Sequence, residues 1–160
     1  MIKNLINKIF DIETAYAHCD IPCGIYDPHH AQVAAFTVLR MVNLVNQLDK
    51  NAPDYAHKFA RYTASKEEHA ELCKHEVRVI WGDFFKPAVH GDNFSKANDL
   101  SHKIMLAGSK ARQEVNEQAA KDLINLVNEF ATVFWTAKNV KTAKIKAPFP
   151  VEGELVVPAT

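Results

Sequence analysis

Glycine is scarce in this sequence, with 5 among 160 residues, and neither a G-x-G-x-x-G nor a G-x-x-x-x-G-K pattern occurs. Kinases, P-loop NTPases and dinucleotide-binding folds are therefore disfavoured. No apolar run approaches the roughly 18–20 residues that cross a bilayer, so we expect no membrane partner. Lys plus Arg and Asp plus Glu both number 19, which gives a formal net charge of zero. Nucleic acid is not an expected partner, because phosphate binding needs a basic surface.

Cysteine is also sparse, and the three residues are unevenly placed. An odd, sparse set is not typical of a secreted disulfide framework. Cys73 stands alone and is expected to pack as a small hydrophobic residue in a helix. Cys19 and Cys23 lie together near the N-terminus, where they are candidates for chemistry.

Apolar residues recur at three- and four-residue steps along most of the chain, which predicts an all-α protein. The predicted helices cover about 31–48, 53–85, 95–107 and 113–139. Their apolar stripes include Ala31, Ala34, Val38, Met41, Val45 and Leu48; Ala56, Phe59, Thr63, Ala70, Cys73, Val77, Ile80 and Phe84; Ala97, Leu100, Ile104 and Ala107; and Ala120, Leu123, Val127, Phe130, Phe134 and Ala137. Short connections between four such helices predict an up-down-up-down four-helix bundle over residues 29–140.

Proline and glycine mark the predicted boundaries. Asp27 and Pro28 are expected to begin the first helix as N-cap and first helical residue. Lys86-Pro87 is expected to close the second helix, and Gly108 to stop the third. The C-terminal tail, 141–160, contains three prolines and is expected to be extended or disordered, with a possible strand only at Glu154–Val157.

The head of the chain, residues 1–17, ends in an A-x-A pattern like a signal-peptidase site. Charged residues interrupt its apolar run, so a secretory leader is disfavoured and a cytoplasmic protein is expected. Two alternatives stay open for the head, namely a frayed N-terminal helix and a cleaved pro-segment.

The segment His18–Pro28, hereafter the hook, has the composition of a metal site. A small-loop disulfide and a partial zinc site are two alternatives, although no second Cys/His pair completes a zinc set. If the chain is cut before His18, the new α-amine, the Cys19 amide nitrogen and the two thiolates can lie in one plane. Two nitrogens and two sulfurs in a plane suit Ni(II) or Cu(II), and the His18 imidazole can reach an axial position.

The hook matches every fixed position of H-C-D-x-P-C-G-x-Y-D-P and so resembles the nickel superoxide dismutase family. Two further blocks support the resemblance. Residues 81–87 are similar to its W-x-D-Y-F-K-P helix end, and residues 134–138 to its C-terminal F-W-x-T-K region. The resemblance covers roughly residues 18–140.

The resemblance implies a pro-segment, 1–17, removed by a peptidase, and a homohexamer of four-helix bundles that holds one nickel per chain. It implies nickel binding through the amine and imidazole of His18, the amide nitrogen and sulfur of Cys19, and the sulfur of Cys23. Tyr26 would position substrate or water near the open face, and Asp20 would fix the loop against the bundle. Superoxide would be converted to dioxygen and hydrogen peroxide by Ni(III)/Ni(II) cycling.

Three positions depart from the family pattern. A glutamate and an arginine of the family that hold the axial imidazole correspond to Ala34 and His69, and its second tyrosine corresponds to Phe84. His69 is a candidate to replace the arginine as hydrogen-bond donor, or is simply a solvated helix residue. Lys86 is expected near the hook, where it would attract the anion. Two other functions stay open: a nickel or copper carrier that uses the same hook without turnover, and an exported helical module with a Cys19–Cys23 disulfide.

Overall fold

A computed structural model describes residues 24–159, and four helices occupy most of them. The bounds are α1 (His29–Asn46), α2 (Tyr55–Val79), α3 (Pro87–Gln113) and α4 (Glu117–Ala137), and a π-helical turn, Ile80–Phe84, continues α2. Helix α1 packs against α2 and α4, and α3 packs against α2 and α4. This closed arrangement confirms the predicted four-helix bundle. Among the described residues, no helix is both long and apolar enough to span a membrane.

The apolar stripes mostly form the core. In α4 every predicted stripe residue from Ala120 to Phe134 is buried, and in the second half of α2 so are Ala70, Cys73, Val77 and Ile80. The prediction was wrong at the start of α2, where Ala56 and Phe59 are exposed. All residues from 56 to 61 are exposed, so these first turns lie outside the core although they keep helical periodicity.

Helix α3 is longer at both ends than the sequence predicted. It starts at Pro87, which occupies the first turn, and Gly91 introduces a kink with φ 48°. Gly108 does not stop the helix but lies buried within α3. A Cβ atom at this position would lie 2.7 Å from Cγ of Lys74. The missing side chain at Gly108 therefore makes room for the α2 lysine at the helix contact.

The C-terminal tail is a β-hairpin, which corrects the expectation of an extended or disordered segment. Strands β1 (Thr142–Lys146) and β2 (Glu154–Pro158) pair antiparallel, with Ile145 opposite Leu155. The possible strand at 154–157 is confirmed as part of β2. Leu155 and Val156 are buried, and Asn128 of α4 donates a 2.7 Å hydrogen bond to the Glu154 carbonyl. Burial of these apolar side chains explains why proline does not keep the tail disordered.

A buried lysine caps the end of α3. Lys66 of α2 is 1% exposed, and its ammonium donates to the carbonyls of Ala111, Arg112 and Glu114 at 2.6, 2.6 and 3.0 Å. These are carbonyls at the C-terminal end of a helix, where the helix dipole favours a cation. Burial lowers the pKa of Lys66, and the nearby Glu67 opposes that shift.

Replacing Lys66 with Met should destabilise the protein by about 2–3 kcal/mol, because buried carbonyls would lose their donors. Urea unfolding followed by circular dichroism measures this change. Lys58→Met is the matched control in the same helix, since Lys58 is exposed and forms an ion pair with the exposed Asp54. Equal unfolding midpoints for the two variants would contradict the capping role of Lys66.

Candidate metal centre

The described part of the hook begins at Gly24, while His18, Cys19, Asp20 and Cys23 lie outside the described residues. Gly24 has φ +72°, a left-handed conformation that glycine adopts without a steric penalty. The next residue, Ile25, is 86% exposed. The described part of the hook therefore begins with a left-handed glycine followed by an exposed residue.

Two residues anchor the hook to the start of α1. The Asp27 carboxylate accepts a 2.8 Å hydrogen bond from the backbone N–H of His29, and the carbonyl of the buried Pro28 accepts one from Gln32. The helix begins at His29 with Pro28 as its cap, one residue later than predicted, but the Asp27 side chain still satisfies a backbone donor. The exit of the hook is thus fixed in direction by helix capping.

Tyr26 joins the hook to an aromatic cluster. Its ring centroid lies 6.0 Å from that of Phe84, which in turn lies 5.0 Å from Phe85 and 4.8 Å from Phe134. Phe84 comes from the π-helical turn and Phe134 from α4, so the cluster connects three parts of the chain. The structure therefore places Tyr26 at the bundle end from which the hook leaves.

Lys138 lies at the same end and is a residue for which the sequence suggested no role. Its ammonium is 3.5 Å from the Gly24 carbonyl and 5.5 and 5.9 Å from the ring centroids of Phe134 and Trp135. Such cation–π contacts hold the charge over the cluster. One signal in the sequence could have indicated a role for Lys138, namely its place at the end of residues 134–138, which resemble a block of the family.

Lys86 follows the π-helical turn and is exposed, and its ammonium donates to the Gly82 carbonyl at 3.0 Å. It belongs to the segment that carries Phe84. A second positive charge is therefore attached to the segment against which Tyr26 packs.

Besides Phe84, two positions depart from the family pattern, and both lie in the helices of the bundle. Ala34 is buried in α1, and His69 is half-buried in α2. His69 Nδ1 lies 2.8 Å from the Ser65 carbonyl, which only accepts hydrogen bonds, so this nitrogen carries the proton. The role that the sequence suggested for His69, a hydrogen-bond donor at the metal centre, stays a prediction.

Other titratable groups of the bundle show no sign of metal binding. Among residues 24–159, no group of three or more His, Cys, Asp or Glu side chains is arranged to hold a metal ion. His29 and His30 are exposed, as expected for surface residues. Cys73 is a free, buried thiol, and burial raises its pKa to about 12. It is therefore a poor nucleophile and a poor ligand near neutral pH.

Fold and sequence together define a class of protein, a helical bundle with an N-terminal hook that contains two cysteines. The family model described as nickel-containing superoxide dismutase matches residues 13–138. "Superoxide dismutase [Ni]" of Streptomyces seoulensis is 33% identical over 122 residues, 76% of this chain and 88% of that protein. The same enzyme of Streptomyces coelicolor is 33% identical over 125 residues, 78% and 91% of the two chains.

Comparison with solved structures supports the same family. The native nickel superoxide dismutase superimposes with a TM-score of 0.67 at 31% identity, covering 76% of this chain and 99% of that one. A structure with nickel ligation of the oxidised state gives a TM-score of 0.68 at 30% identity, with the same coverage of both chains. The chain belongs to the nickel-containing superoxide dismutase family. The hairpin lies beyond the residues that the family model matches.

Replacing Lys138 with Met should lower kcat/KM for superoxide about threefold at low salt and make its salt dependence shallower, because one steering charge is lost. Lys141→Met, an exposed residue three positions further along, is the control and should change neither quantity. Pulse-radiolysis rates at several ionic strengths measure both effects. Equal rates and equal salt slopes for the two variants would show that Lys138 does not steer the anion.

Proposed function

We propose that this chain dismutates superoxide with nickel held by His18, Cys19 and Cys23. The observation that carries the proposal is the complete hook motif on a chain of this family. When bound, nickel supplies a one-electron redox couple between Ni(III) and Ni(II). The donor set fits nickel, since two thiolates and two nitrogen donors favour a planar d⁸ ion over tetrahedral zinc.

The ligand roles follow the donor chemistry of each residue. His18 provides its amine and its imidazole, Cys19 its amide nitrogen and sulfur, and Cys23 its sulfur. Asp20 fixes the loop against the bundle. In support, Gly24 adopts a left-handed conformation, and Asp27 and Pro28 tie the exit of the hook to α1.

Two superoxide anions and two protons yield one dioxygen and one hydrogen peroxide, so the reaction consumes protons. We assign to the Tyr26 hydroxyl the positioning of substrate or of an ordered water at the open face. The packing of its ring on Phe84 supports this role, because it limits where the hydroxyl can point. Lys138 and Lys86 add positive charge on the approach of the anion.

We propose that His69 would hold the His18 imidazole by a hydrogen bond through Nε2, in place of the family's arginine. Its Nδ1 contact with the Ser65 carbonyl supports this orientation. His69→Gln should then shift the electron paramagnetic resonance signal of the oxidised nickel, while His75→Gln, at an exposed position of the same helix, should not.

The carrier function is not favoured, since the chain matches most of the length of relatives that are named as dismutases.

We further propose that a peptidase removes residues 1–17, that the mature chain forms a homohexamer, and that it works in the cytoplasm. Exposed apolar side chains, among them Ile25 and Val89, support assembly. A reducing compartment would keep the hook thiols available for nickel.

The thiolates should be essential for turnover but not for folding. Cys19→Ser and Cys23→Ser should each abolish dismutation and nickel retention, because oxygen donors do not stabilise Ni(III), while helicity by circular dichroism stays unchanged. Cys73→Ser is the control and should keep about one nickel per chain and near-full activity, with a loss of stability of about 1–3 kcal/mol. Zinc in place of nickel in the native protein would contradict the assignment.

The cut before His18 should also be essential, because an amide nitrogen replaces the amine ligand in the uncleaved chain. Three versions test this: the full chain, a chain that starts at His18, and one with a single extra Ala before His18. Only the second should bind nickel and dismutate superoxide. It should also sediment as a hexamer, and a monomer would overturn the proposed assembly.

If the alanine-extended chain worked as well as the chain starting at His18, the terminal amine would not be a required ligand. Circular dichroism of all three versions controls for folding, since the described helices all begin after residue 28.

A further inference from the structure

His90 stands beside the aromatic cluster, although neither the hook nor the metal chemistry uses it. Its ring centroid lies 4.8 Å from that of Phe84, with the planes 35° apart, and 5.5 Å from that of Phe85. Phe84 is the ring on which Tyr26 packs, at 6.0 Å. His90, Phe84 and Tyr26 therefore form a continuous row of rings that ends at the hook.

The backbone holds the His90 ring in place. Its Nδ1 accepts a 3.0 Å hydrogen bond from the N–H of Lys86, and the Lys86 carbonyl accepts one of 3.0 Å from the N–H of His90. These reciprocal bonds close the first turn of α3. Gly91 follows at once with φ 48°, so the kink separates this turn from the rest of the helix.

The surroundings of Phe84 explain why a fixed position of the His90 ring is important. Phe84 is only half-buried, and the other aromatic rings that contact it are Tyr26, Phe85 and Phe134. Phe85 and Phe134 are buried core residues, whereas His90 is half-buried. A half-buried ring keeps one orientation only where neighbouring side chains pack against it, and His90 is one of these neighbours.

We infer that His90 is a positioning residue, which fixes the Tyr26 ring by holding Phe84 from the side of α3. The effect of His90 on the Tyr26 ring is independent of the proposed function. Only the expected effect on the rate of dismutation rests on it. The ring contact carries the effect, and the Lys86 bond fixes the orientation of the imidazole. A small displacement of a substrate-positioning group is enough to lower the rate.

Four variants of the full chain separate the ring from the hydrogen bond. His90→Ala removes both, His90→Phe keeps a ring without an acceptor, and His90→Asn keeps an acceptor without a ring. His102→Ala is the control, at an exposed position of the same helix. The readouts on the nickel-free protein are the NMR shifts of the Tyr26 ring protons and the exchange rate of the Lys86 amide.

Tyr26 ring shifts should move in His90→Ala and His90→Asn and return towards the wild-type values in His90→Phe. Lys86 exchange should accelerate in His90→Ala and His90→Phe but stay slow in His90→Asn. In a Phe84→Leu background, His90→Ala should cause no further movement of Tyr26, because the contact that transmits it is already gone. Melting temperatures verify that each variant is folded.

Unchanged Tyr26 shifts in His90→Ala, rescue by Asn rather than Phe, or additive effects with Phe84→Leu would each overturn the inference. Kinetics of nickel-loaded chains starting at His18 then test the role of Tyr26 separately. We expect kcat/KM to fall about fivefold in His90→Ala and to recover in His90→Phe. Shifts that move without a change in rate would support the positioning by His90 and contradict the proposed role of Tyr26.

Discussion

The contact between the Tyr26 and Phe84 rings joins the hook to the helical bundle. The proposed metal donors precede Gly24, and the described residues of the bundle contain no cluster that could replace them. The way in which the bundle holds the hook is therefore one route by which it can influence the proposed metal site. Each aromatic pair contributes about 0.5–1.5 kcal/mol beyond area burial, so several pairs around Phe84 are needed to hold one orientation.

The place of Phe84 depends in turn on the end of α2. The π-helical turn Ile80–Phe84 widens the last turn of this helix, and it closes with a hydrogen bond from the N–H of Phe85 to the Ile80 carbonyl. Because Pro87 cannot continue the hydrogen-bond pattern, the chain turns into α3 directly after Lys86. Turns of this kind are frequent at functional sites, where they reorient a side chain without breaking the helix. Phe84 and Lys86 thereby reach the bundle end that Tyr26 occupies.

Helical periodicity in the sequence was sufficient to predict the bundle, because the stripe of α4 and the second half of α2 bury the same residues in the structure. Gly108 could not be interpreted from its own sequence neighbourhood. A glycine can end a helix, but it can also lie inside one where another helix packs closely. The contact with Lys74 of α2, which is distant in sequence, shows that the second case applies. The hairpin was missed for a similar reason, because its buried residues are few and separated by prolines. At the metal centre the hook motif was readable, whereas the contacts of Lys138 and His90 arise between segments far apart in the sequence.

A chain terminus offers ligands that no helix interior can provide. An α-amine exists only where a chain begins, so the proposed cut before His18 would create this donor. Amide nitrogens inside the helices are engaged in hydrogen bonds and are not available in the same way. Substitution of side chains in the bundle cannot create or remove the backbone donors proposed for the hook. Ala34 and His69 can therefore differ from the family pattern while the hook motif stays complete. The contacts between bundle and hook, at Phe84 and Lys138, therefore constrain the bundle more than core positions that need only to pack.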